Sequence, residues 1–140
     1  MPRRTTPIIC TDLNDDLDGR RWENDDDTPI GDLHGRSGHA GKTFADILAE
    51  HSLAATNTFG GIGDTFFSKD GERRHSSRID FICAPKSMMD DTESETYIPK
   101  KAAEMMQMIP DTEWRDHLPI ILKWNYAPAM CSEGYAKVVN

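Results

Sequence analysis

Apolar residues in this chain gather in short runs and never in a long one. Residues 7–11 (PIICT), 53–59 (LAATNTF), 64–67 (DTFF), 77–83 (SRIDFIC) and 119–124 (PIILKW) stand between polar stretches. Runs of this length, with their Ile and Phe content, suit strands of a sheet, and the last is expected to be buried. Only residues 41–53 carry a helical period. There Phe44, Ile47, Leu48 and His51 fall at i, i+3, i+4 and i+7 and make one face. Strands interleaved with a helix predict an α/β domain of packed layers.

The segments between the runs constrain the chain as well. Residues 12–38 have no hydrophobic period and are rich in Asp, Gly and Asn, which predicts a long loop with a turn at Asp18-Gly19. A loop that long inside a compact domain is usually functional or mobile. Residues 68–76 (SKDGERRHS) read as a connection, with a hairpin turn at Lys69-Asp70-Gly71. Residues 86–98 are polar and read as loop, and residues 100–108 (KKAAEMMQM) have helix-forming composition. No repeat or inter-domain linker is visible. Residues 1–126 therefore read as one domain and residues 127–140 as an irregular tail.

Composition narrows the functional class. A chain of 140 residues with 37% apolar residues can bury one core. No run approaches the roughly 20 apolar residues of a membrane-spanning helix. The opening MPRRTTPIIC has too short an apolar stretch for a signal peptide. Cys10, Cys83 and Cys131 make neither a CxxC site nor a disulfide scaffold, which predicts an intracellular setting, cytoplasmic or nuclear. The net charge of −8 gives no general attraction to polyanions. Phosphate chemistry on such a chain would need local cations, a metal ion foremost.

Three short signals place acids or histidine at strand ends. They are Thr11-Asp12-Leu13-Asn14 after the first run, Ile79-Asp80-Phe81 within the fourth, and Asp116-His117-Leu118 before the last. Asp12 and Asn14, two apart at a strand end, are expected to point the same way. A carboxylate there can orient or deprotonate a water, and an amide can donate to a phosphoryl oxygen. A histidine bonded to a second aspartate is favoured as imidazolium and suits developing negative charge. A further carboxylate can hold Mg²⁺, which prefers oxygen ligands.

In that order these residues resemble the endonuclease/exonuclease/phosphatase superfamily. More narrowly they resemble the endonuclease domains of non-LTR retrotransposons and the craniofacial-development-protein-2-like sequences. That family's GDFN-type motif, Gly-rich loop, helix, "NT" strand, "IDxI" strand and terminal "SDH" fall here on residues 11–14, residues 15–41, residues 44–53, Asn57-Thr58, residues 79–82 and residues 115–117. Thr11 stands where Gly is usual, Leu13 where an aromatic is usual, and Arg115 where Ser is usual. The family's amino-terminal half, with its Asn and Glu metal ligand, has no counterpart in these residues, so the resemblance is to a carboxy-terminal half-domain.

The resemblance implies part of a layered α/β sandwich and metal-dependent phosphodiester hydrolysis with Mg²⁺ or Mn²⁺. It implies catalytic roles for Asp12, Asn14, Asp80 and His117, with Asp80 orienting His117. It places Asp116 at the metal and Asn14 and Asn57 at the substrate. DNA is favoured by analogy, with a complementary amino-terminal half as a further partner and no membrane.

Two other readings stand beside it. One is an inactive remnant of that domain. The other is an acidic module that binds calcium or a partner: from Asn14, the loop offers alternating oxygen ligands, Gly19 at the sixth place and Asp25 at the twelfth. His34, His39, His51 and His75 lack zinc-site spacing and read as solvated or packed. Met105, Met106 and Met108 read as core filling or an exposed surface. Arg73, Arg74 and Arg78 could meet a nucleic-acid backbone, though hairpin arginines are most often solvated.

Overall fold

The short runs do become strands, and each pairs with a partner distant in sequence. A computed structural model describes residues 6–22, 26–31, 36–70, 72–89, 94–99, 101–102, 105 and 115–124. The order is β1 (Ile9–Asp12), a 3₁₀ turn (Gly19–Trp22), α1 (His39–Glu50), β2 (Leu53–Ala55) and a 3₁₀ turn (Thr56–Thr58). Then come β3 (Phe66–Asp70), β4 (Arg73–Ser77), β5 (Asp80–Pro85), a 3₁₀ turn (Lys86–Met88), β6 (Glu95–Tyr97), β7 (Arg115–His117) and β8 (Ile121–Lys123). Among the described residues the strands make three small sheets, β1-β5-β2, β4-β3-β7 and β6-β8, and every pairing is antiparallel. The class is mixed α/β.

The core forms between α1 and one face of β1-β5-β2. Leu17, Ile30, Ala45, Leu48, Leu53, Ala55, Phe81 and Cys83 are buried together, with Ile9, Leu13, Trp22 and Phe44 packed at the margin. Strand alternation then puts Cys10, Asp12, Asp80 and Ile82 on the opposite face of that sheet. Full burial of a residue such as Leu48 or Phe81 stabilises by roughly 1.5–3 kcal/mol.

The helix buries part of the expected face, Leu48 with Phe44 at the margin, and turns the rest outward. Gly41, Ala45 and Leu48 are buried, whereas Ile47 is 41% exposed and His51 lies in solvent. Small residues set that orientation. A Cβ on Gly41 would lie 2.2 Å from the carbonyl oxygen of Asp16, so the helix can approach the preceding loop only on its glycine side. The close approach outweighs the larger apolar side chain of Ile47.

Other boundaries are corrected too. The run at residues 53–59 leaves the sheet after Ala55, where the buried 3₁₀ turn begins. Residues 68–76, read as a connection, supply most of the β3–β4 hairpin, whose pairing runs from Phe66↔Ser77 to Asp70↔Arg73. Residues 86–98, read as loop, contain a 3₁₀ turn and β6. The last run is not a buried strand. β8 pairs only with β6, and Ile121 is 38% exposed, because a two-stranded ribbon has no second layer over it among the described residues. The tail at residues 127–140 and most of the helix expected at residues 100–108 lie outside the described residues. Within them, no helix is long and apolar enough to cross a membrane.

Candidate functional site

Asp12 closes β1 and Asp80 opens β5, and the two are register partners. The next pair along, Leu13–Ile79, is hydrogen-bonded, with the Leu13 N–H donating to the Ile79 carbonyl at 2.8 Å. Asp12–Asp80 is therefore a non-hydrogen-bonded pair, the type in which facing side chains stand closest. Two carboxylates so placed repel when both are ionised, at a cost to the pairing. A cation beside them removes that cost.

His117 reaches the pair from another sheet. It sits on β7 opposite Phe66 of β3, and the Leu118 N–H donates to the Thr65 carbonyl, so Phe66–His117 is again a close pair. The two rings lie 4.9 Å apart at 53°, a tilted contact that fixes the imidazole plane. Its Nδ1 lies 3.0 Å from each oxygen of Asp80. An ionised carboxylate only accepts, so the contact is a hydrogen bond when Nδ1 carries the proton. Asp12, Asp80 and His117 each offer a ligand atom within 4.8 Å of the others, and this group could hold a metal ion. The Asp80 side chain is 19% exposed and that of His117 is 45% exposed, so the cluster is open to a ligand.

A hollow of about 370 Å³ adjoins the cluster, lined among others by Cys10, Asp12, Asp80, Ile82, Leu118 and Ile120. One side of it is acidic and the other apolar. A larger hollow, about 530 Å³, lies around His51, Leu53 and Lys86 and contains none of the expected site residues.

The other expected site residues are Asn14, Asn57 and Asp116. Asn14 has a left-handed backbone (φ 53°) and its N–H donates to Asp12 Oδ1 at 3.0 Å. The alternation that would align its side chain with Asp12 holds only in extended chain and ends at Asp12. Asn57 was expected at the substrate, but it is fully buried, and both ends of its carboxamide bond the main chain of β5. It has no surface to offer a ligand. Asp116 pairs with Phe67 through the backbone, and its carboxylate lies outside the described side chains.

Arg78 is not a solvated hairpin arginine. It is 5% exposed, donates from Nη1 to the Asn57 carbonyl at 3.3 Å, and its charge acts on Asp16. Arg73, Arg74 and His75 are exposed, as are His39 and His51, while His34 lies outside the described residues. Met105 is 87% exposed.

The acids of the loop after β1 are engaged within the fold. Asp15 accepts the N–H groups of Gly38 and Gly41, each at 2.8 Å. Burial works to raise its carboxyl, but the backbone N–H groups of Gly41, Gly38, Asp16 and Ala40 together hold it below the usual range. The Asp16 carboxyl is raised, chiefly by burial. The hydrogen bond from Arg20 lowers that of Asp18. Asp25 lies outside the described residues.

Thr65 was not singled out from the sequence, and no local pattern marks it. Buried at the crossing from sheet β4-β3-β7 to sheet β1-β5-β2, its hydroxyl accepts the N–H groups of Ile79 (3.2 Å) and Asp80 (3.1 Å). Compared with known proteins, the chain matches no family model, no curated protein and no solved structure.

Proposed function

We propose that the Asp12–Asp80–His117 cluster hydrolyses phosphodiesters with the help of a divalent metal ion, in the manner of a nuclease. One observation carries this reading. An imidazole held by a carboxylate stands beside a second carboxylate whose ligand atom lies within 4.8 Å. The oxygens of Asp12 and Asp80 fit a hard divalent cation. The donor set does not single out Mg²⁺, and Mn²⁺ suits it as well. When bound, the ion would polarise a phosphoryl oxygen and neutralise charge on it.

The chain's own residues supply the rest. Asp80 accepts the Nδ1–H of His117 and so orients the imidazole ring. Nε2–H then donates to a phosphoryl oxygen as negative charge develops there. Asp12, exposed at the end of β1, orients the attacking water and draws its proton. DNA is the proposed substrate class, and an intracellular, cytoplasmic or nuclear, setting goes with it.

The layered form of the fold belongs to the same proposal. The sheet face that carries Cys10, Asp12, Asp80 and Ile82 is the one α1 leaves uncovered, and a complementary half-domain would close it as a sandwich. Nicking of supercoiled plasmid in Mg²⁺ or Mn²⁺ tests the reading, beside Asp12→Ala and His117→Ala. Nicking by the wild type that both variants lose supports it. Equal nicking by all three, or none by any, rejects it.

A further inference from the structure

Asp80 has a main chain as well as a carboxylate, and the sheet leaves that main chain without a strand to bond. Because Asp12–Asp80 is a non-hydrogen-bonded pair, the N–H and C=O of Asp80 point away from β1. On that other side β2 pairs β5 only from Pro85 to Cys83 and then turns off at Thr56. The ladder groups of Asp80 and Ile82 on that side would face empty sheet. Side chains take the missing strand's place. The Asn57 amide donates from Nδ2 to the Asp80 carbonyl at 3.0 Å, and its Oδ1 accepts the Ile82 N–H at 3.2 Å. The Thr56 hydroxyl donates to the Ile82 carbonyl at 3.0 Å. The Thr65 hydroxyl accepts the Asp80 N–H.

We infer that Asn57 is a positioning residue for the Asp80–His117 pair: its carboxamide stands in for a strand, holds the Asp80 backbone in register, and thereby keeps the Asp80 carboxylate on His117 Nδ1. The bonds reach both flanks of Phe81, a span one side chain can clamp only from a buried site facing the strand edge. Asn57 meets that requirement, being fully buried on the turn that follows β2. Arg78 donates to the Asn57 carbonyl and ties the turn to the segment that leads into Asp80. The catalytic side of this inference rests on the hydrolase reading, while the positioning side rests on geometry alone.

The test uses the full chain, free of metal, at a pH where His117 is neutral. The readout is its tautomer, from ¹⁵N shifts of the imidazole. The wild type is expected to carry the proton on Nδ1. Asn57→Ala should shift the population toward the Nε2–H tautomer by roughly tenfold, the scale of one lost hydrogen bond. Thr56→Val is the control, since it removes a bond from the same turn to the same strand without touching Asp80, and it should leave the tautomer unchanged. An unchanged tautomer in Asn57→Ala, or an equal shift in Thr56→Val, overturns the inference. Asn57→Asp is the second variant, because it keeps an acceptor for Ile82 and removes the donor to Asp80. If both Asn57 variants fail to fold while Thr56→Val folds, the role is structural and the inference is lost. The two readings fail separately. A tautomer shift in a protein that never nicks DNA sinks the hydrolase and spares the positioning role, and nicking without a shift does the reverse.

Discussion

Replacing Asp15 by Ala should loosen the start of α1 and lower stability by an amount the structure lets one work out. The helix begins after Gly38, which has no side chain to cap it, and its third residue, Gly41, has none to reach back. Asp15 supplies both missing acceptors from 23 and 26 positions away in sequence, with Oδ1 to the Gly38 N–H and Oδ2 to the Gly41 N–H. It therefore acts as a capping box delivered from a distant loop. Two cap bonds at about 1 kcal/mol each give about 2 kcal/mol. For a chain of 140 residues that is a fall of roughly 7 °C in Tm. The folded-state carboxyl of Asp15 is held low, so its contribution is complete above the unfolded value near 3.9 and drains away as pH falls through the folded value. Thermal melts by circular dichroism at pH 7, and then at steps below about pH 4, measure both effects. The gap between wild type and variant should be widest at neutral pH and close on acidification. A gap under about 0.5 kcal/mol at pH 7, or one that does not change with acid, would refute the capping argument.

Further outcomes follow from the same geometry. Gly41→Ala should cost more than Asp15→Ala in the same melts, because its Cβ would meet the Asp16 carbonyl oxygen at 2.2 Å and also the Cβ of Ser37 at 2.8 Å. If the cluster acts as proposed, Asp80→Asn should lower the rate of metal-dependent nicking by roughly a hundredfold or more while leaving the melting curve close to wild type, and an unchanged rate would remove Asp80 from the proposed chemistry. Cys83 is fully buried and its thiol is pushed up to about 12 by burial and by the nearby Cys10, so mass-spectrometric mapping after iodoacetamide at pH 8 should find Cys10 modified and Cys83 protected until the protein unfolds.

Local pattern was enough for some of this. β1, β5 and α1 were legible because apolar residues recur at the period of a strand or a helix within a few neighbouring positions. The three acid-and-histidine signals at strand ends were legible for the same reason. The hairpin strands at residues 68–77 were not, because Ser68, Arg73, Arg74, His75 and Ser76 form strands by pairing with one another and bury almost nothing. Asn57 and Arg78 look like surface residues in the sequence, and their burial follows from where β2 stops and where the chain crosses between sheets.

Sequence alone thus determined where β1, β5 and α1 fall and which residue types wait at the ends of strands, since each depends on neighbours a few bonds away. Only the tertiary structure decided that Asp12 faces Asp80, that His117 arrives beside them from a second sheet, and that a buried amide holds the strand between. Register and crossing are set by contacts between segments dozens of residues apart, and no local period encodes which strand will lie beside which.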